Sequence, residues 1–298
     1  MEIQQLRHLV AAVDCGNLLK AAAECGISQS GLSRSIQSLE ERLGVELLTR
    51  KAKGVEPTIY GRSIVQRARL ILNEVNRSLD ELRAIQAARF GDVTVGVTQN
   101  YGHYLIPEVL IDLYAAHPDI RVTVITGGFL DLVERLTIGA IDFAFGLLGN
   151  VEQTGEIRIE ALREHYSKVV ARASHPLASH TEEITASELA SARWATLRST
   201  GFQHNFIDYF LSRKLPAPVQ VLKTDSISLI TRLVVSTDLL TVLPAPIVRD
   251  SIDAGTLTIL DCEAPAEQSV VGLMFRSQGL ITPQSLEIIE RIRKHFLV

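Results

Sequence analysis

The side chains best suited to chemistry lie together near the start of the chain, in Ser28-Gln29-Ser30-Gly31-Leu32-Ser33-Arg34-Ser35-Ile36-Gln37. An arginine forks onto guanine O6 and N7, amides match adenine, and short hydroxyls reach bases or phosphates. Gln29, Ser30, Ser33, Arg34 and Gln37 therefore suit the edge of a base pair. A little downstream, Arg50, Lys51 and Lys53 crowd three cations into four residues, a charge density suited to backbone phosphates. Catalytic spacings are missing by comparison. There is no G-x-S-x-G, G-x-x-x-x-G-K-[ST], H-E-x-x-H or G-x-G-x-x-G. The eight histidines are scattered: His8 and His295 read as helix-surface residues, while His103 and His204 lack a partner visible in sequence. Cys15, Cys25 and Cys262 form no C-x-x-C pair and read as small buried hydrophobes. No enzyme activity, metal or cofactor is expected.

Several elements must position those polar groups. Leu6, Leu9, Val10 and Val13 share one face of a first helix, and Asn17 is a good cap for a second containing Ala21-Ala22-Ala23. Gly26 suits a helix end, Ile27 is expected to plug the core, and Ser28 caps a third helix. In that third helix Leu32, Ile36, Leu39 and Leu43 are spaced 4, 3 and 4 apart, one buried stripe that turns Gln29, Ser30, Ser33, Arg34 and Gln37 outward. After Gly44, residues 46–55 read as a short hairpin, a wing with the cations at its tip. Any amphipathic three-helix unit shows such spacing, but the ordered combination is far less common.

Charge supports this division of labour. Residues 1–90 carry 13 Lys and Arg against 10 Asp and Glu, a net of +3, while the remainder carries 17 against 24, a net of −7. At 298 residues the chain is long enough for two or three compact units. No apolar run approaches the roughly 18 residues of a membrane span, and the polar, acid-containing start does not read as an export signal. The expected location is cytoplasmic, with no membrane partner.

From residue 59 to 90 a long helix is expected. Val65, Ala68, Leu72, Val75, Leu79 and Leu82 alternate at spacings of 3 and 4, the seam of a coiled coil that would pair two copies. Burial against the chain's own later domain is the alternative. At Gly91 the texture changes to strand-like alternation in Asp92-Val93-Thr94-Val95-Gly96-Val97, and strands and helices then follow one another as in an α/β fold with a mainly parallel sheet. Strand-to-helix units restart near Tyr166 after an irregular stretch at 147–164, which implies two lobes with a first crossover there and a second near Gln268-Ser269-Val270-Val271.

The sequence closely resembles the LysR-type transcriptional regulators over essentially its full length. The resemblance rests on Ala21-Ala22, Ile27-Ser28-Gln29, Leu32-Ser33-Arg34-Ser35-Ile36, Leu39-Glu40, Leu43-Gly44-Val45-Glu46-Leu47-Leu48 and Thr58-Ile59-Tyr60-Gly61 in the first part. Leu105-Ile106-Pro107, Gly139-Ala140-Ile141-Asp142 and His175-Pro176-Leu177-Ala178 extend it through the second. It implies an α+β multidomain chain: a winged helix-turn-helix over 1–58, a linker and dimerisation helix over 59–90, and a two-lobed, periplasmic-binding-protein-like effector domain over 91–298. Lobe I would comprise 91–163 with 268–298, and lobe II 164–267.

The implied activity is effector-modulated transcription regulation on double-stranded DNA, by a dimer that the family usually builds into a tetramer. A small polar or anionic metabolite would sit between the lobes, at Thr98, Gln99, Asn100, Gly128 and Phe129 on one side and Arg198, Ser199, Thr200, Phe202, Asp225 and Ser226 on the other. For a single Ser or Thr, a role as helix cap or turn is the more ordinary reading. Departures from the family pattern include Ser30 in place of a common proline, Gly31 where alanine or threonine is frequent, Phe129 at a usual Ser or Thr, and Leu147 where some aromatic-acid sensors place arginine. A transport-type solute-binding module is the runner-up, opposed by the basic N-terminal part.

Overall fold

The computed structural model describes residues 1–51, 54–86, 91–149, 155–180, 182–198, 200–263, 265 and 269–296; for Asn100, His165, Thr200, Gly201 and Ser269 it describes the backbone alone. Two compact units result, one of Met1–Asp92 with Glu134–Ile141 and the other of Val93–Val133 with Asp142–Val298.

The first unit opens with three helices, α1 (Ile3–Cys15), α2 (Leu18–Glu24) and α3 (Gln29–Leu43). Each stops where the sequence has punctuation. Gly16 and Gly44 take left-handed conformations that end α1 and α3, and Asn17 accepts from the Leu19 and Lys20 amides to start α2. Leu9, Ala12, Ala21, Ala22, Leu32, Ile36 and Leu39 form the buried centre, with alanines allowing close helix approach. Leu43 and Ile27 depart from expectation: both are exposed, at 38% and 37%. Leu43 is the last residue of its helix, and Ile27 lies in the turn itself.

An antiparallel hairpin follows, β1 (Leu48–Lys51) with β2 (Gly54–Pro57), and then α4 (Ile59–Gln86). Val65 and Ala68, the first two positions of the expected seam, are buried. Val65 belongs to the core of its own head, beside Leu9 and Leu47, so it has no side chain to offer a second copy. The remaining seam positions stay at least partly open: Leu72 and Val75 are half-buried, and Leu79 and Leu82 are 47% and 56% exposed.

The second unit holds two five-stranded sheets. Lobe I has the order β4-β3-β5-β12-β6, built from β3 (Asp92–Thr98), β4 (Arg121–Gly127), β5 (Phe143–Leu148), β6 (Ile157–His165) and β12 (Ser269–Arg276). Its helices are α5 (Gln99–Ala116), α6 (Phe129–Thr137) and α11 (Pro283–Phe296). Lobe II has the order β11-β7-β10-β8-β9, from β7 (Ser167–Arg172), β8 (Arg193–Leu197), β9 (Val219–Thr224), β10 (Leu239–Pro244) and β11 (Leu257–Ile259). Helices α7 (Ala186–Ser191), α8 (Thr200–Leu211), α9 (Ile227–Ser236) and α10 (Arg249–Asp253) cover it. Apolar layers fill both faces of the lobe II sheet, one around Trp194, Phe206 and Phe210 and the other around Ile230, Val234 and Leu243.

Both sheets are mixed, against the expectation of mainly parallel pairing. β3 with β5, β8 with β9 and β8 with β10 are parallel, whereas β12 runs antiparallel to β5 and β6, and β7 antiparallel to β10 and β11. The stretch read as irregular contains β6, a nine-residue strand held along its length by β12. The change of sheet falls between His165 and Ser167; of the second crossover, Gln268 lies outside the described residues and β12 begins at Ser269.

Candidate functional site

On α3, Gln29, Ser30, Arg34 and Gln37 are exposed and Ser33 is half-buried. The cap is Ser28, whose Oγ accepts from the Gly31 amide at 3.1 Å and lies 3.1 Å from the Ser30 hydroxyl. Arg34 folds back so that its Nε donates to the Ser30 carbonyl at 3.3 Å. That bond leaves the outer guanidinium nitrogens, the pair used for a guanine or a phosphate, without a mate among the described contacts of Arg34. Behind this face the helix is braced against α1: the His8 ring nitrogen lies 2.7 Å from the Ser35 hydroxyl. Burial, followed by the Arg7 charge, holds the His8 pKa below its usual value.

Three contacts aim the wing. The Glu40 carboxylate accepts from the Leu47 and Leu48 amides at 2.7 and 3.1 Å, fixing the turn between α3 and β1. The Val55 amide donates to the Gly16 carbonyl at 2.9 Å, so β2 leans on the end of α1. A Cβ at Gly54 would stand 2.1 Å from that same carbonyl, and Gly54 has φ +143°, so only glycine fits this approach. At the strand end Arg50 is exposed and Lys51 pairs loosely with Glu56 at 3.9 Å. Lys53 lies outside the described residues.

In the second unit the expected effector residues separate into two groups. Thr98 is 8% exposed, and its hydroxyl accepts from the Leu147 amide at 3.1 Å. It therefore ties β3 to β5. Ser226 caps α9 through the Leu229 amide, and Phe202 stacks on Phe206 with centroids 5.7 Å apart, against the lobe II core. These three have structural employment. Gln99 and Gly128 are exposed, and the half-buried Phe129 ring lies against Gly149, where a Cβ would meet it at 2.9 Å. Arg198 and Asp225 form a forked pair, Nε to both carboxylate oxygens at 3.2 Å and Nη2 to Oδ2 at 2.6 Å. The Arg198 guanidinium holds the Asp225 carboxyl below the usual range. Ser199 lies outside the described residues; Asn100 and Thr200 stand in the first turns of α5 and α8.

Two features went unnoticed in sequence. Gln203 donates from Nε2 to the Thr196 hydroxyl and the Leu197 carbonyl, while its buried Oε1 has no partner among the described residues. Its place on the first turn of α8, facing β8, could have flagged it. Tyr104 of α5 packs against the apolar layer of lobe II that contains Ile247 and Val248, so the helix that begins at Gln99 also touches the other lobe. Burial pushes the Tyr104 hydroxyl up to about 12.

The chain matches a family model described as the bacterial regulatory helix-turn-helix protein, lysR family, over residues 3–62, and one described as the LysR substrate binding domain over residues 86–297. It belongs to the LysR family of transcriptional regulators. It is 28% identical over 294 residues to the HTH-type transcriptional regulator GalR of Pseudomonas putida, covering 98% of this chain and 74% of that one. It is 27% identical to the regulator GbpR of Azospirillum brasilense, covering 97% and 86%.

Among solved structures, the LysR family regulator CbnR superposes with a TM-score of 0.68 at 21% identity over 99% of both chains. ArgP from Mycobacterium tuberculosis gives 0.71 at 19% identity, over 97% and 95%. Like its relatives, this LysR-type regulator has a helix-turn-helix that binds DNA and a separate effector-binding domain, and its relatives are regulators, not enzymes. Among the described residues no helix is long and apolar enough to cross a membrane, and no cluster of His, Cys, Asp or Glu forms a metal site.

Proposed function

We propose that α3 reads base edges through Gln29, Ser30, Ser33, Arg34 and Gln37, with Asn17 and Ser28 placing the helix starts, and that Arg50, Lys51 and Lys53 hold phosphates beside it. The observation that carries this reading is the exposed polar face of α3 flanked by a wing whose direction is set by Glu40 and Gly16. Two heads are brought to two half-sites by pairing of α4 through Leu72, Val75, Leu79 and Leu82, since helix-turn-helix dimers space their heads by a helical turn of DNA or its multiples.

A tetramer needs a second self-association surface. Lobe I offers Ile111 and Tyr114 on α5, 69% and 43% exposed, and lobe II offers Val219 and Val221 on its edge strand β9, 62% and 40% exposed. The effector is a small polar or anionic metabolite held between the lobes, near Thr98, Gln99, Asn100, Gly128 and Phe129 on one side and Arg198, Ser199, Thr200, Phe202, Asp225 and Ser226 on the other. It acts by favouring one relative arrangement of the lobes over another, a population shift.

The test is binding of the full protein to DNA from its own upstream region across a salt series. Specific binding should exceed binding to random fragments by at least a thousandfold, and Arg34→Ala should reduce it by about 1–3 kcal/mol while leaving the salt slope within about one unit. Equal affinity for every fragment removes the reading.

A further inference from the structure

Topology constrains the chemistry of the effector. In open α/β sheets, ligands sit outside the carboxyl ends of the strands. In this chain those ends are short and almost uncharged: Gln99-Asn100 after β3, Gly128-Phe129 after β4, Gly149 after β5, Asp225-Ser226 after β9 and Ala245 after β10. Immediately after β8, Arg198 adds a cation at the strand end itself, and it is already joined to Asp225 across the two loops. Both side chains of the pair are open, 68% and 45% exposed, and the Arg198 amide donates to the Thr224 carbonyl at 3.1 Å, which laces the loops together.

A lone guanidinium at such a place is a carboxylate anchor. A guanidinium with a carboxylate on its fork carries no net charge, and an incoming anion meets Asp225 as a like charge at contact distance. What the pair presents is an edge of free N–H groups on Arg198 beside unused lone pairs on Asp225, since the fork consumes only part of either inventory. A hydroxyl group, donor and acceptor at once, complements that edge, and two adjacent hydroxyls complement it twice. In lobe I, beyond the ends of β4 and β5, the Phe129 ring on Gly149 offers an aromatic face suited to a small ring.

We propose that the effector is an uncharged ring compound bearing adjacent hydroxyl groups, held by the Arg198–Asp225 edge with its ring face on Phe129. This rests on the effector-cleft reading above and names the class of ligand for it. Two sources share that chemistry, a monosaccharide and a catechol-type aromatic, and the assay separates them.

Full-length protein is screened by thermal shift against monosaccharides, catechols and, for each, the counterpart carrying a carboxylate. At saturating concentration one uncharged set should raise the melting temperature by about 2 °C or more, and the acids should not. Asp225→Asn should abolish that rise and, by freeing Arg198, make the matched acids stabilise the variant. This gain cannot come from misfolding. If the acids stabilise the wild type and Arg198→Ala removes their effect, the proposed class is overturned while the cleft survives. If uncharged diols stabilise wild type and Asp225→Asn equally, the Arg198–Asp225 edge is overturned as their site. If no compound of either set shifts the wild type, the proposal falls; if a broad metabolite collection also shifts nothing, the effector-cleft reading falls with it.

Discussion

At the scale of single residues, Glu40 shows how much one carboxylate can organise. It sits on the inner flank of α3 and takes two successive amides from the turn into the wing. Glu40→Ala leaves both amides without their acceptor, and a partly buried donor so stranded costs about 1–3 kcal/mol. Urea denaturation of the full protein should show that loss in the transition of the first unit, and Glu40→Gln, which retains an acceptor oxygen, should recover much of it. An Ala variant as stable as the parent would mean the turn holds itself.

Sequence showed Leu39-Glu40 as part of a family pattern but could not show what Glu40 bonds, because its partners are backbone amides seven and eight positions away. The same limit explains Thr98 and Ser226. Their hydroxyls read as ligand contacts at strand ends, and in the fold each also accepts from a backbone amide, that of Leu147 or Leu229, a bond that leaves its O–H a donor. Polar residues at strand ends advertise hydrogen bonding, and only coordinates tell whether the bond is already made.

At the scale of elements, the helix-turn-helix was legible almost throughout, since its caps, glycine stops and apolar stripe are local and agree with one another. Strand β6 was not. Glu160-Ala161-Leu162-Arg163-Glu164 is rich in good helix formers, yet the segment is extended because β12, more than a hundred positions later, supplies its hydrogen bonds. The start of α4 misled for a related reason. Val65 fits a heptad seam by spacing, but spacing does not say which neighbour fills the groove, and its own head arrives first.

The wing is the element whose placement is most open to test. In Gly54→Ala the added methyl collides with the Gly16 carbonyl, so β2 must move off α1. Affinity for specific and random DNA should then fall together, with the salt slope reduced by about one to two units as wing cations lose their phosphates. A variant that binds DNA with unchanged slope would show the wing contributes no ionic contact.

At the scale of the whole molecule, α4 leaves Leu79 and Leu82 uncovered, the positions proposed above to pair two heads. If α4 pairs as proposed, Leu79→Glu with Leu82→Glu should turn a dimer into a monomer in sedimentation velocity, with helix content preserved because both positions are on the surface. Persistence of the dimer would move the pairing surface elsewhere.

The interleaving of the lobes bears on how the chain comes into being on the ribosome. Lobe II has all five of its strands between Ser167 and Ile259, so its sheet is complete soon after that stretch has emerged. Lobe I waits: β5 and β6 are not neighbours in its sheet and remain apart until β12 is synthesised and slides between them. During translation the later-encoded lobe therefore matures first. The half-made sheet of the earlier one carries two unsatisfied strand edges until β12 arrives, the interval in which this regulator most needs protection from aggregation.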